Sequence, residues 1–89
     1  MNNYYITYVL QSDFDNNFYV GYTKNLNKRL NEHNNGKVKS TKNRRPLKVV
    51  YCEMCYNQTD ALHREKYLKS SYGKRYIKNR LKNYLENKV

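Results

Sequence analysis

The chain has 89 residues and a formal charge of +11, with eighteen Lys and Arg against seven Asp and Glu. That length supports a single domain with a small core, and eleven Tyr with two Phe supply the aromatic surface that decides against disorder. No apolar run approaches the ~18–20 residues of a membrane span, the N-terminus has neither the basic region nor the cleavage site of a signal peptide, and three Gly with one Pro exclude a collagen-like chain.

Residues 4–10 (YYITYVL) are β-branched and aromatic and read as a strand. Residues 11–17 form a turn-rich loop, and residues 18–22 (FYVGY) read as a second strand, so the chain opens with a hairpin. Gly21 there marks a bulge or a close backbone approach. A helix is expected over residues 25–35, capped by Thr23 or Asn25, ended by Asn35-Gly36, with Leu26 and Leu30 on its core side. Residues 36–46 form a basic loop with room for one helical turn, and residues 47–55 (LKVVYCEMC) read as a third strand. A second helix starts at Asn57, with Asp60 three residues on in a capping pattern, and runs to about Ser71. A last helix follows Gly73, with Ile77, Leu81, Tyr84 and Leu85 on one face. The expected fold is α/β (α+β): a small three-stranded, mostly antiparallel sheet flanked by helices, in the order β-β-α-β-α-α, as one domain over residues 1–89.

The charge is not spread evenly. Residues 22–48 hold nine bases and one acid, and residues 64–89 hold nine bases and two acids. The two strand-like stretches between and before them are each weakly acidic. Two basic blocks of this size point to a polyanion, with nucleic acid ahead of an anionic membrane surface, because no basic helix carries a clean Leu/Phe/Trp insertion face. A solvated basic surface is the plainer alternative.

Three groups of residues carry chemistry. Glu65 falls on the inward stripe of the second helix with Ala61, Leu68 and Tyr72, and a carboxylate there needs a partner or a metal. It reads equally as a Glu at the stripe's edge or one paired with a core Arg. Arg29 and His33 share a face of the first helix; alone, they also fit an Arg29–Glu32 pair beside a solvated His33. Tyr8 and Tyr19 lie side by side on one sheet face if Leu10 pairs with Asn17, because the residue sum is constant along an antiparallel ladder; alone, they are two tyrosines in a Tyr-rich chain.

Together these residues resemble the GIY-YIG nuclease family over nearly the whole chain. The first triplet corresponds to Ile6-Thr7-Tyr8 and the second to Tyr19-Val20-Gly21. The run from Tyr19 to Leu26, then Lys28-Arg29-Leu30, His33-Asn34, Thr41, Arg44-Arg45-Pro46 and Ala61 to Lys66, resembles its small single-domain endonuclease branch. The first triplet keeps only its tyrosine, and Tyr22 stands where some relatives place a Lys, which leaves open whether Lys24 assists.

The resemblance implies hydrolysis of a phosphodiester with a single divalent metal, Mg²⁺ or Mn²⁺. Glu65 would be its one protein ligand, with water and phosphate oxygens completing the shell. Arg29 would hold the scissile phosphate. Tyr8 is the favoured base and Tyr19 orients the water or phosphate, with the roles exchangeable, while His33 relays a proton or hydrogen-bonds the phosphate. A free phenol is only about 0.1% ionised at neutral pH, so Arg29, Lys24 and the metal would have to lower its pKa. Lys24, Lys37, Lys39, Lys42, Arg44 and Arg45 would contact the backbone and contribute affinity with little sequence information.

The expected substrate is DNA, with RNA open, weak sequence preference, and single-stranded, flapped or branched DNA as first choice. The expectation extends to a cytoplasmic monomer, with room for a protein partner that supplies targeting. The competing reading is an inactive or partner-dependent nucleic-acid-binding module on the same fold. A basic ribosome-associated protein explains the charge but not Glu65. Cys52-Glu53-Met54-Cys55 lacks the second pair that a zinc site needs and reads as two buried or partly buried thiols, and His63 reads as a surface residue.

Overall fold

The computed structural model describes residues 3–87. Three antiparallel strands, β1 (Tyr5–Ser12), β2 (Phe18–Thr23) and β3 (Leu47–Cys55), form one sheet in the order β2-β1-β3. Helix α1 (Leu26–Asn34) links β2 to β3 by way of a 3-10 turn at Lys42–Arg44, and α2 (Gln58–Lys69), α3 (Ser71–Arg80) and the short α4 (Lys82–Glu86) follow. The expected fold class and element order are thus observed.

Alternation along β1 sends its side chains to two cores. Tyr8 and Leu10 join Leu47, with Ile6, Tyr19, Leu26, Leu30 and Val49 packed around them, so α1 covers that face. Val9 joins Val20, Leu68 and Ile77 on the other face, under α2 and α3. Leu10, Leu68 and Ile77 are essentially fully buried, and each such side chain contributes roughly 1.5–3 kcal/mol. The Asn34 amide fixes α1 across the sheet by donating to the Leu47 carbonyl at 2.9 Å and accepting from its N–H at 2.8 Å.

The hairpin register differs from the expected one. Leu10 pairs with Tyr19, and Tyr8 with Gly21, not with Tyr19. The reason lies in the turn. β1 runs on through Ser12, whose hydroxyl accepts from the N–H groups of Phe14 and Asp15. Asn16 then takes the left-handed conformation, at φ +62°, which Asn tolerates better than most residues. Because the slip is two residues, Tyr8 and Tyr19 keep a common face as diagonal neighbours.

Helix boundaries differ at two places: the α2–α3 junction, and Leu81, where the single last helix expected divides into α3 and α4. α2 stops at Lys69 because Ser70 is extended and its hydroxyl caps α3 by accepting from the Gly73 N–H at 3.2 Å. Gly73 therefore sits in the first turn of α3 and not before it. A Cβ there would collide with the backbone of Tyr67 and Leu68, so glycine permits the close approach of the two helices. Tyr72 consequently leaves the α2 stripe and is exposed on α3.

Candidate active site

Gly21 lets Tyr8 lie where it does. A side chain at position 21 would run into the Tyr8 ring and hydroxyl, so the phenol lies across bare β2 backbone. Of the two readings of Gly21, close approach is the one observed. Beneath the phenol, His33 is fully buried in the last turn of α1. Its Nε2 is 2.9 Å from the Tyr8 hydroxyl and its Nδ1 is 2.7 Å from the Thr41 hydroxyl.

The proton positions follow from donor counting. The Thr41 hydroxyl also lies 3.5 Å from the Val38 carbonyl. With its one proton directed there, its oxygen accepts from His33 Nδ1–H and Nε2 accepts the Tyr8 proton, one assignment that satisfies all three contacts. Burial, helped by the Arg29 charge, pushes the His33 pKa below its ordinary value, which keeps the imidazole neutral. With both nitrogens occupied inside the core, His33 is neither solvated nor in reach of a phosphate. Its place is behind Tyr8.

Burial also pushes the Tyr8 pKa up, against a smaller opposing effect of the Arg29 guanidinium beside it. Of the three influences expected to lower it, Arg29, Lys24 and the metal, Arg29 does so, but burial outweighs it and the phenol on its own stays protonated. Arg29 itself is partly exposed and also pairs with Glu32 at 3.0 Å. It lines an open groove of about 380 Å³ with Tyr22, Thr23, Lys24, Asn25, Lys28 and Glu32. Lys24 stands on the rim of this groove, its Nζ 5.5 Å from the centre of the Tyr5 ring. Tyr19 packs edge-on against His33 at 5.1 Å between ring centres and remains partly exposed.

Glu65 comes from the opposite face of the sheet. On α2, residues 58, 62, 65 and 69 share one flank and residues 60, 64 and 67 the other. Gln58 donates to the Tyr22 hydroxyl of β2, and Lys69 lines a pocket with Phe18, Tyr19 and Val20. Arg64, on the other flank, makes two 2.9 Å bonds to Glu53 of β3. Glu65 therefore lies on the β2 flank, at the edge of the buried Ala61/Leu68 stripe, and its negative charge is felt at the Tyr8 hydroxyl. Its side chain is 21% exposed, and its carboxylate pairs with the half-exposed Lys69 at 3.2 Å. Among the described residues there is no group of three His, Cys, Asp or Glu side chains able to cage a metal. A single carboxylate suits Mg²⁺ or Mn²⁺, which retain water and accept phosphate oxygens.

The basic loop divides. Lys37, Lys39 and Lys42 are exposed, while Val38 and Thr41 point inward and pin the loop. Arg44 is partly exposed and tied within the chain: its Nε is 2.8 Å from Asp15 and another nitrogen donates to the Phe18 carbonyl. It locks the loop to the hairpin. Arg45 is exposed and its Nε donates to the Lys42 carbonyl at 2.7 Å. Cys52 is exposed, not buried, and Cys55 half-buried; three residues apart on a strand, they face opposite ways and cannot share a ligand. His63 is exposed. Sequence reasoning noted Thr41 but assigned it no role. The only signal for one is a hydroxyl in a basic loop, and its hydrogen bond to His33 exists only once the loop folds under α1.

The chain matches the family described as GIY-YIG catalytic domain over residues 4–82. It is 45% identical over 64 residues to a UPF0213 protein of Syntrophus aciditrophicus, covering 70% of this chain and 72% of that one. It is 42% identical over 71 residues to the UPF0213 protein SSP2268 of Staphylococcus saprophyticus, covering 79% and 84%. Among solved structures it is similar to the solution NMR structure of the UPF0213 protein BH0048 from Bacillus halodurans, with 27% identity, a TM-score of 0.52, and coverage of 83% of this chain and 81% of that one.

Proposed function

The chain belongs to the GIY-YIG catalytic domain family, a nuclease-type domain, and from that membership we propose that it is a metal-dependent endonuclease of DNA with weak sequence preference. The observation that carries this reading is the contact of the Tyr8 hydroxyl with the neutral His33 Nε2 at 2.9 Å, beside the Arg29 guanidinium.

That contact removes the need for a free phenolate. As a water oxygen bonds to phosphorus, its proton passes to the Tyr8 oxygen and the Tyr8 proton passes to His33 Nε2. The imidazole becomes a cation and the phenol stays neutral throughout, which suits a site whose burial opposes ionising Tyr8. Arg29 binds the phosphate and offsets its growing charge as the bond to the leaving oxygen breaks. Tyr19, packed edge-on against His33, orients the water or the phosphate. Glu65 is the residue that would hold Mg²⁺ or Mn²⁺, whose chemistry there is stabilisation of charge on the leaving oxygen. Lys24, Lys37, Lys39, Lys42 and Arg45 supply backbone contacts.

A nucleic-acid-binding module without turnover of its own is the second reading, and the Lys69–Glu65 ion pair is the observation in its favour. End-labelled single-stranded, duplex, flap and junction DNA, incubated with Mg²⁺, Mn²⁺ or EDTA, separates the two. The expected result is metal-dependent nicking that Arg29→Ala and Glu65→Ala each reduce by about 10²–10³-fold. Binding without cleavage in either metal, unchanged by Glu65→Ala, would overturn the nuclease reading.

A further inference from the structure

The α2–α3 pair carries a second groove, of about 410 Å³, lined by Tyr67, Tyr72, Arg75, Tyr76 and Asn79. It lies on the flank of α2 where Arg64 holds Glu53, whereas Glu65 lies on the flank facing β2. The groove is thus separate from the Tyr8–His33 site.

Its walls alternate aromatic rings with guanidinium planes. Arg64 stacks over Tyr67 and Tyr76, 5.1 and 4.7 Å from their centres, and Arg75 over Tyr72 at 5.6 Å. The Arg64 charge is matched by Glu53, but among the described residues Arg75 has no carboxylate within salt-bridge distance. Tyr72 is 66% exposed and Tyr67 39%. Residues 71–82 contain no acid at all and add Lys78, Arg80 and Lys82, while Lys74 lines the β2-side pocket with Tyr19 and Lys69. These cations are all exposed.

Two chemistries meet in this groove, and together they select the occupant. Unpaired cations alone would suit any polyanion, duplex DNA included. Open tyrosine faces alone would suit any apolar partner. A chain of phosphates that also presents unstacked rings satisfies both, and that is single-stranded nucleic acid. Duplex DNA hides its ring faces, and an acidic peptide has none to offer. We infer that the α2–α3 groove binds single-stranded nucleic acid, with a base stacked on Tyr72 and phosphates on Arg75 and the neighbouring lysines. This rests on nucleic acid being the partner proposed above and refines the substrate: a molecule with a single-stranded arm, gripped on the flank of α2 away from Glu65.

Fluorescence anisotropy in EDTA, with labelled oligothymidine and a duplex of equal length, tests binding without involving cleavage. A result that sinks this groove therefore leaves the nuclease reading standing, and the reverse. Tyr72→Ala is expected to bind the single strand about tenfold more weakly, the loss of one stacked base, and the duplex as wild type does. Tyr72→Phe keeps the ring and wild-type affinity, and Arg75→Gln weakens single-strand binding again. Both positions are on the surface, and thermal unfolding checks that the fold is kept. Unchanged single-strand affinity in Tyr72→Ala and Arg75→Gln, or an equal loss for duplex, would overturn the inference. So would displacement of the oligonucleotide by polyglutamate of matched charge as readily as by unlabelled oligothymidine.

Discussion

At the residue scale, Thr41 decides which nitrogen of His33 accepts a proton. Thr41→Val removes the acceptor of a buried Nδ1–H, at a stability cost of about 1–3 kcal/mol, and frees the ring to adopt the other tautomer. In that tautomer Nε2–H would donate to Tyr8 and the relay would lose its acceptor. The expected outcome is a fall in kcat of at least about tenfold with KM unchanged, and Thr41→Ser restoring both rate and stability; a wild-type kcat in Thr41→Val would remove the relay. The pH dependence has a fixed sign. The His33 pKa is lowered by folding, so its contribution to stability is complete above the ordinary imidazole value near ~6.5 and is lost as pH falls through the lowered one. The acid limb of the kcat profile should likewise lie below that ordinary value. Urea unfolding at neutral pH and near pH 5, beside rate profiles of wild type and Thr41→Ser, measures both.

At the element scale, the two flanks of α2 do different things. One flank brings Glu65 to the β2 edge; the other closes over β3 through Arg64. The same helical spacing sets Lys69 one turn after Glu65, and their ion pair competes with any metal at that carboxylate. Exposed pairs at this spacing are worth only about 0.3–0.5 kcal/mol, so the competition is mild. Lys69→Met is expected to tighten Mn²⁺ binding about twofold by calorimetric titration, and Glu65→Ala to abolish it. No change in Lys69→Met would mean that the carboxylate does not bind the ion.

At the scale of the whole molecule, the +11 charge divides into side chains that hold the fold and side chains left for a partner. Arg44 belongs to the first set, through Asp15 and the Phe18 carbonyl. Lys37, Lys39 and Lys42 belong to the second. Replacing those three lysines with Gln is expected to reduce the slope of log affinity for duplex DNA against log salt by about 2.7, at about 0.9 per lost phosphate contact. Arg44→Gln should leave the slope alone and lower the unfolding midpoint. A slope altered by Arg44→Gln and not by the lysines would reverse the division.

The sequence alone determined the element order, all three strands, the Asn57 helix cap, a choice of Thr23 or Asn25 for the other, and the family, because these rest on local signals. β-branched runs, Asn25 and Asn57 before helical periodicity, and ordered triplets act within a few residues of themselves. It also placed Tyr8 and Tyr19 on one face, since alternation survives a register slip of two. It could not fix the register, because Ser12 and Asn16 set the turn through backbone hydrogen bonds that the composition of residues 11–17 does not announce. Nor could it tell the buried His33 from a solvated one, Arg44 from its lysine neighbours, or give Thr41 a role. Those assignments depend on contacts between residues far apart in the chain, and only the packing of α1 and the basic loop against the sheet brings them together.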